Sequence, residues 1–541
     1  MLDRLAGMET EYAIRFHPAH SEIGRVPNKL VFGQVLDYLR TKFPIVPSIV
    51  DEGMSPHAWF LANGGAVRFE RILYFGFLPA VGLLEGMTPE CRGPRQLIAH
   101  QRAQDVLLSQ ACANVRLGGT VALIKNNIDS RGNSYGNHEN YEATVATGPM
   151  LRLWRLGIAL LLPMLLAIAL VSELAFLLGL GILFVAARLW AKRDQSDFRS
   201  SRIWDTAGPW IYDLVTWPAR QIVTSFFRLT AFRTQRRRLL AFLVSRPIII
   251  GAGHVDSQGR FYLSGRGLQV RRQCGAIMAA HSPIFLFNHA INNVFRLLLG
   301  DRWSFRRMFR ERQRLQISSA DSNMTQTAEY LKVGTMLLVL DAIEAGELDD
   351  APRVRWPIRA IHAICRDPEL KATVRLDRGR SWTALQIQRF YLEACRRTAR
   401  RQHEADAEVQ QILALWEEVL HGLERHPNEL VGKLDWVTKR HLLEQAGGDA
   451  SLDSRRKIDI KYHELTQAGY YIQLEAAGAV SLVVDPDEVR QAVTEPPLGT
   501  PAQRRGRLIR ELAEGGQPVR ASWSTVVVGN GRANARPIEI S

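Results

Sequence analysis

Lys125-Asn-Asn-Ile-Asp129-Ser-Arg-Gly132-Asn-Ser-Tyr135-Gly136-Asn-His138-Glu139-Asn140-Tyr141 is the stretch on which the reading of this chain turns. It follows a strand-like run over 121–125, and a turn so rich in Gly and Asn, closed by His-Glu-Asn, is costly to build for structure alone. A plain polar loop is the ordinary alternative. Upstream, Met8-Glu-Thr-Glu-Tyr-Ala-Ile-Arg-Phe16 alternates and is rich in strand formers, which predicts an opening strand with Glu9 and Glu11 on one face. Two carboxylates so placed suit a hard cation such as Mg²⁺, which takes oxygen ligands and bridges phosphates. A solvated strand face would carry the same pattern. A third polar block runs Asn63-Gly-Gly-Ala-Val-Arg-Phe-Glu70, then Leu84-Glu85-Gly-Met-Thr88-Pro-Glu90-Cys91-Arg-Gly-Pro94.

Around these blocks, residues 58–70 and 121–125 read as strands and 94–112 as a helix. Tyr330–Glu344 and Thr383–Arg400 carry apolar stripes at helical spacing. Gly447–Arg456 reads as a linker to a smaller mixed segment that ends in a strand at Trp523–Val528. The 541 residues leave room for two or three domains. A net charge of +15 favours an acidic partner, and with no helix–turn–helix or RNA-binding signature a nucleic acid is not expected. The five cysteines (Cys91, Cys112, Cys274, Cys365 and Cys395) are too dispersed for a zinc site or a disulfide framework, which suits a reducing compartment. Met1–Gly7 contains acid and no apolar core, so it does not read as a signal peptide, and the catalytic parts are expected in the cytoplasm.

Residues 156–187 are almost wholly apolar, with Ser172 and Glu173 as the clearly polar exceptions. Split there, they give two limbs of about fifteen residues. Arg152 and Arg155 flank one end and Arg188, Lys192 and Arg193 the other, so both ends are expected on the cytoplasmic side. The expectation is a helical membrane hairpin with its tip at Glu173; a buried helical pair in a soluble core is the alternative. Residues 209–232 interleave aromatics with arginines and read as an amphipathic helix on membrane lipid, or as an ordinary surface helix.

Several runs together resemble one family. Met8-Glu-Thr-Glu-Tyr12, the Lys125–Tyr141 block, Ala320-Asp-Ser-Asn-Met324 and Leu331-Lys-Val-Gly-Thr335 are similar to signatures of the Pup ligase/depupylase family. So are Leu240–Arg246, Gly251-Ala-Gly253, Leu263-Ser-Gly-Arg266, Leu434–Arg440, Tyr462-His463 and Glu495-Pro-Pro497. The likeness spans nearly the whole chain outside about 145–236. It implies an α+β, glutamine-synthetase-like fold: a curved antiparallel sheet with helices behind it, a small C-terminal domain, and here a helical membrane hairpin inserted. The parts would be a catalytic domain over 1–144 and 239–446, the insertion over 145–238, and the C-terminal domain over 454–541.

The implied activity is ATP- and Mg²⁺-dependent ligation. The C-terminal glutamate of Pup, or of a similar acidic-tailed protein, is phosphorylated and then joined to a lysine of a substrate protein. By the same resemblance Glu9 and Glu85 bind metal, with Glu11 beside them. Thr88, Arg314 and Trp523 contact the nucleotide, and Glu70 stands where the family has its aspartate base. Departures are Ala66 and Arg68 in place of an Arg and a Tyr, about nine extra residues between Glu70 and Glu85, Gln316 for a histidine, and a missing Arg-Asp-Glu-Pro-His run near Ser282–Asn293. The moderate length of Lys42–Phe60 favours a ligase, whereas Cys365–Pro368 and Leu370–Val374 are closer to the depupylase branch. Three readings stay open: a ligase held at the inner membrane with its catalytic domain in the cytoplasm, a depupylase or Pup deamidase, and a non-catalytic membrane-bound scaffold that binds Pup.

Overall fold

The computed structural model describes residues 3–21, 24–49, 58–71, 82–129, 132–194, 225–226, 229–273, 308–402, 406–529 and 536–540. The opening strand is longer than its alternation predicts: β1 runs Leu5–Pro18. Helix α1 (Asn28–Arg40) follows, then the short strands β2 (Ile45–Pro47) and β3 (Ala58–Leu61). Asn63 and Gly64 turn the chain into β4 (Ala66–Arg71); Gly64 has φ 86°, a left-handed conformation open to glycine. Strands β5 (Gly82–Met87) and β6 (Cys91–Arg92) lead into α2 (Pro94–Ala113). Then come β7 (Gly119–Ile124) and β8 (Asn137–Thr144).

With the strand Arg312–Ala320 these form a nine-stranded sheet in which β1 is central. Its length lets it serve two partners on each side. β6 pairs with Leu5–Ala6 and β5 with Glu9–Tyr12 along one edge, while β8 pairs with Ala6–Thr10 and β7 with Ala13–Pro18 along the other. Each of these pairings is antiparallel. Side chains alternate, so one face carries Glu9 and Glu11 and the other Thr10 and Tyr12. The second face packs on α2, where the Tyr12 hydroxyl donates to Asp105 Oδ1 at 2.6 Å. Beyond lies the helix Gln326–Glu344, buried except near its C-terminal end. Near the C-terminus, strands Val519–Ala521, Thr525–Val528 and Arg536–Glu539 make a small separate sheet that leans on β2 through a bridge between Ser48 and Ala521.

The inserted segment differs from the expected hairpin. Gly148–Asp194 is one continuous helix, α3, of 47 residues. Ser172-Glu173 makes no turn, because neither residue breaks a helix and the flanking Leu and Ala are strong helix formers. Pro163 removes one backbone hydrogen bond without ending the helix. Among the described residues no helix is long and apolar enough to cross a membrane. The hairpin, and the contact with membrane lipid built on it, is therefore corrected. The helix expected over 209–232 lies outside the described residues apart from 225–226 and 229–232, and the segment near Ser282–Asn293 lies outside them entirely.

The first turns of α3 belong to the main core. Leu151, Trp154 and Ile158 are buried. Trp154 stacks on Phe226 with centroids 5.4 Å apart, and its indole N–H donates to the Met308 carbonyl at 2.7 Å. The excursion closes on itself: the Phe232 amide donates to the Val145 carbonyl at 2.6 Å, and Gln235 Nε2 to the Thr144 carbonyl at 2.7 Å. Farther out, Leu170, Leu177, Leu178 and Ile182 are exposed. Trp154→Ala is expected to cost about 3–5 kcal/mol. Leu178→Ala, at a side chain 67% exposed, is expected to stay within ~0.5 kcal/mol. Urea unfolding checks both, and equal effects would contradict the assignment of these turns to the core.

Candidate active site

Antiparallel partners directly opposite one another share a face, so the register fixes which side chains meet. One row across the sheet reads His138, Glu9, Met87, Ala66, Phe60. The next reads Glu11, Glu85, Arg68, Ala58. Glu70, opposite Leu83, continues the same face one step farther along β4. Thus Glu9, Glu11, Glu70 and Glu85 stand together on the face turned away from α2. They do so with very different access to water: side-chain exposure is 1% for Glu85, 10% for Glu11, 14% for Glu9 and 38% for Glu70.

Like charges crowded in a dry place raise one another's pKa. Burial pushes Glu11 up to about 7, opposed by Arg266 and helped by Glu70. Glu85 is held well above the usual carboxylate range by burial; Arg68 opposes this, while Glu70, Glu9 and Glu11 add to it. Three guanidiniums answer the acids. Arg68 pairs through Nε with Glu85 Oε2 and lies 3.8 Å from Glu70 Oε1. Arg314 pairs with Glu9 Oε1 and donates from Nε to Asn140 Oδ1 at 2.6 Å. Asn140 Nδ2 in turn donates to the same Glu9 oxygen at 3.1 Å.

The Gly- and Asn-rich turn supplies the rest. The Gly136 amide donates to Glu11 Oε2 at 3.0 Å. A side chain at 136 would collide with the Arg266 guanidinium at 2.5 Å, so glycine is what lets Arg266 lie across the turn. Arg266 Nη2 reaches His138 Nε2 at 3.0 Å. Burial and Arg266 push His138 down to about 3, so its ring is neutral at pH 7. With Nε2 accepting from Arg266, the ring proton sits on Nδ1, which the Gln316 side-chain amide, 3.1 Å away, satisfies only by turning its oxygen to the ring. Arg266 and Gln316 read in sequence only as motif members; their place around His138 comes from a strand pairing and a helix far along the chain.

Thr88 and Trp523 stand apart from the carboxylates. The Thr88 hydroxyl accepts from the Met8 amide at 2.9 Å and its own amide donates to the Met8 carbonyl, so it clamps β1. Trp523 packs edge-on against Phe60 at 5.1 Å and lies 4.8 Å from the Arg505 guanidinium. Arg505 is fully buried, bonds both Glu90 oxygens at 3.0 and 2.6 Å, and donates to the Gly64 carbonyl at 2.6 Å. Phe60 lies in the row of Glu9, three strands away, which at ~4.8 Å per strand is roughly 14 Å. The face therefore has an anionic end at Glu9 and an aromatic end at Trp523.

This architecture has known counterparts. The sequence profile of the Pup-ligase protein family matches residues 4–527. The chain belongs to the Pup-ligase family. It is 30% identical over 539 residues to the Pup–protein ligase of Acidimicrobium ferrooxidans, covering 96% of this chain and 91% of the relative. It is 28% identical over 466 residues to the Pup deamidase/depupylase of Mycolicibacterium smegmatis, covering 82% of this chain and 72% of the relative. Among solved structures, the ligase PafA in complex with Pup superposes with a TM-score of 0.69 at 22% identity, over 100% of this chain and 89% of PafA. PafA in complex with ADP gives 0.61 at 22% identity, over 97% of this chain and 93% of PafA. As a member of the Pup-ligase family the chain is a ligase-type enzyme with depupylase relatives, and its α+β sheet-and-helix fold is the one these structures share.

The donor set suits a divalent cation in kind: oxygen ligands only, with carboxylates whose mutual repulsion a cation would relieve. As the side chains stand, though, no three carboxylates, imidazoles or thiols among the described residues are gathered as a metal would need. The Arg68 and Arg314 guanidiniums lie against their oxygens instead. A pH dependence follows from Glu11. The ordinary carboxyl value is 4.5 and the folded value about 7, so between those limits the unfolded chain has lost a proton that the folded chain keeps. Stability in cation-free buffer should therefore fall by a few degrees in Tm as pH rises through that window, with Glu85 acting in the same sense. Glu11→Gln should flatten the fall in a thermal-melt series; an unchanged slope would contradict the account.

Proposed function

We propose that this chain is an ATP- and Mg²⁺-dependent Pup–protein ligase, joining the C-terminal glutamate carboxylate of Pup to a substrate lysine. The observation that carries the reading is the carboxylate face with an aromatic patch at its far end, spaced as the phosphates and base of an extended nucleotide are. Ligase over depupylase is favoured by coverage: the ligase of Acidimicrobium ferrooxidans aligns with 96% of the chain, the depupylase of Acidothermus cellulolyticus with 82%. The net charge of +15 suits an acidic-tailed protein.

In this reading the Pup carboxylate attacks the γ-phosphorus of ATP, the bond to ADP breaks, and an acyl phosphate forms. The lysine amine then attacks the acyl carbon, its proton leaves to a base, and phosphate departs. Glu9 and Glu11 would hold Mg²⁺, whose chemistry there is to neutralise phosphate oxygens, while Glu85, the third acid the resemblance assigns to metal, stays paired with Arg68. Arg314, partly exposed at 36%, would turn from Glu9 to the phosphates, with Mg²⁺ left to answer Glu9. Glu70 serves as base. It is the most open of the four acids and so the one that a lysine on a folded protein can reach. Trp523, beside Phe60, offers its ring to the base.

Incubation with MgATP, a lysine-bearing protein and Pup ending in Glu should yield ADP and a conjugate in equal amounts. Conversion of a Pup conjugate, or of Pup ending in Gln, without conjugate formation would favour the depupylase reading instead. Glu70→Gln should still bind ATP while isopeptide formation falls by ~10²–10⁴-fold. Unchanged turnover in Glu70→Gln would remove the base assignment.

A further inference from the structure

Arg68 is the cation most firmly built into the carboxylate face. It sits directly across β4–β5 from Glu85, and its Nε pairs with an Oε2 whose side chain is 1% exposed. Its Nη2 lies 3.8 Å from Glu70 Oε1. A guanidinium keeps its charge at any working pH, and a desolvated pair of this kind is costly to break on one side. The other two guanidiniums differ. Arg314 is 36% exposed and meets only the Glu9 end. Arg266 is directed at His138, the Ser134 hydroxyl and the Ser318 carbonyl.

The four acids Glu9, Glu11, Glu70 and Glu85 thus have one end, Glu85 with Glu70, already answered by a fixed positive charge. The other end, Glu9 with Glu11, faces the His138 imidazole, at 3.9 and 3.6 Å, and the partly exposed Arg314. Arg68 lies against both Glu85 and Glu70, where an ion shared by the two carboxylates would otherwise sit.

We propose that Arg68 is a resident cation of the site: it takes the place of a divalent ion between Glu85 and Glu70 and limits the chain to one tightly held divalent ion, on the Glu9–Glu11 side. The inference rests on the nucleotide–metal reading of this face, and it assigns to Arg68 a positioning role in setting metal number. Removing one positive charge a few ångströms from a dication's seat is worth well over tenfold in affinity, even at the effective dielectric of a protein surface.

The test is a Mn²⁺ titration of the full chain with equimolar ADP, followed by electron paramagnetic resonance of free Mn²⁺ and corrected by a titration of ADP alone. Wild type should hold one Mn²⁺ per chain. Arg68→Met and Arg68→Gln should each hold a second, and Mn²⁺ should raise their melting temperatures more than it raises that of wild type. Arg68→Gln retains a donor for Glu85, so it keeps the test readable if Arg68→Met does not fold. Two ions in wild type, or the same single ion in all three proteins, would overturn the role of Arg68 and leave the metal reading standing. No Mn²⁺ beyond the ADP control in any of them would overturn both.

Discussion

Within five residues β1 meets two opposed demands: Met8, Thr10 and Tyr12 must pack against helices, while Glu9 and Glu11 must reach a polar cleft. The pleat satisfies both without a bend, because alternate side chains leave opposite faces. Everything else in the site is set by what pairs with this strand. β5 brings Glu85 opposite Glu11, and β8 brings His138 opposite Glu9. A slip of one residue in either pairing would send those side chains to the core and bring leucine and glutamate neighbours out. Register is therefore the constraint on which the chemistry depends.

The buried side of the sheet is built to hold that register, and it does so with ions as well as apolar packing. Lys125, 1% exposed, lies between Asp105 Oδ2 at 3.0 Å and Glu329 Oε1 at 2.9 Å. It thereby ties the end of β7 to α2 and to the helix Gln326–Glu344. Arg246 reaches Glu139 on β8 at 2.7 Å and the Lys332 carbonyl at 3.2 Å. Buried pairs of this kind add little net stability over a hydrophobic replacement, but leaving one partner alone typically costs ~3–5 kcal/mol. Their effect is to penalise any arrangement in which β7, β8 and the two helices are not in their places. Access to the open face is then graded from Glu85, sealed and paired, to Glu70, open at the rim.

The shared face of Glu9 and Glu11 was legible in the sequence because it needs only a period of two. Strands at 58–70 and 121–125 and helices at 94–112, 330–344 and 383–400 were legible for similar local reasons. The pairing of Glu85 with Arg68 was not, since it depends on how β4 and β5 align across an intervening segment. Arg266 was quoted in a motif, yet its seat on Gly136 follows from a turn more than a hundred residues upstream. The insertion misled in a different way. A polar Ser172-Glu173 pair in an apolar run marks a turn only if the backbone has a reason to break there, and here it has none. The gap in the family resemblance also assigned Trp154 and Ile158 to the insertion, whereas packing puts them in the core.

The carboxylates at the centre of the sheet are the proposed seat of the phosphate end of a nucleotide together with a metal ion. Anomalous diffraction from crystals grown with Mn²⁺ and ADP tests this most directly. It should show a Mn²⁺ peak ~2.1 Å from carboxylate oxygens of Glu9 and Glu11, with the ADP base on the Trp523 side. ADP bound elsewhere, or bound on this face with no metal at Glu9 and Glu11, would contradict it.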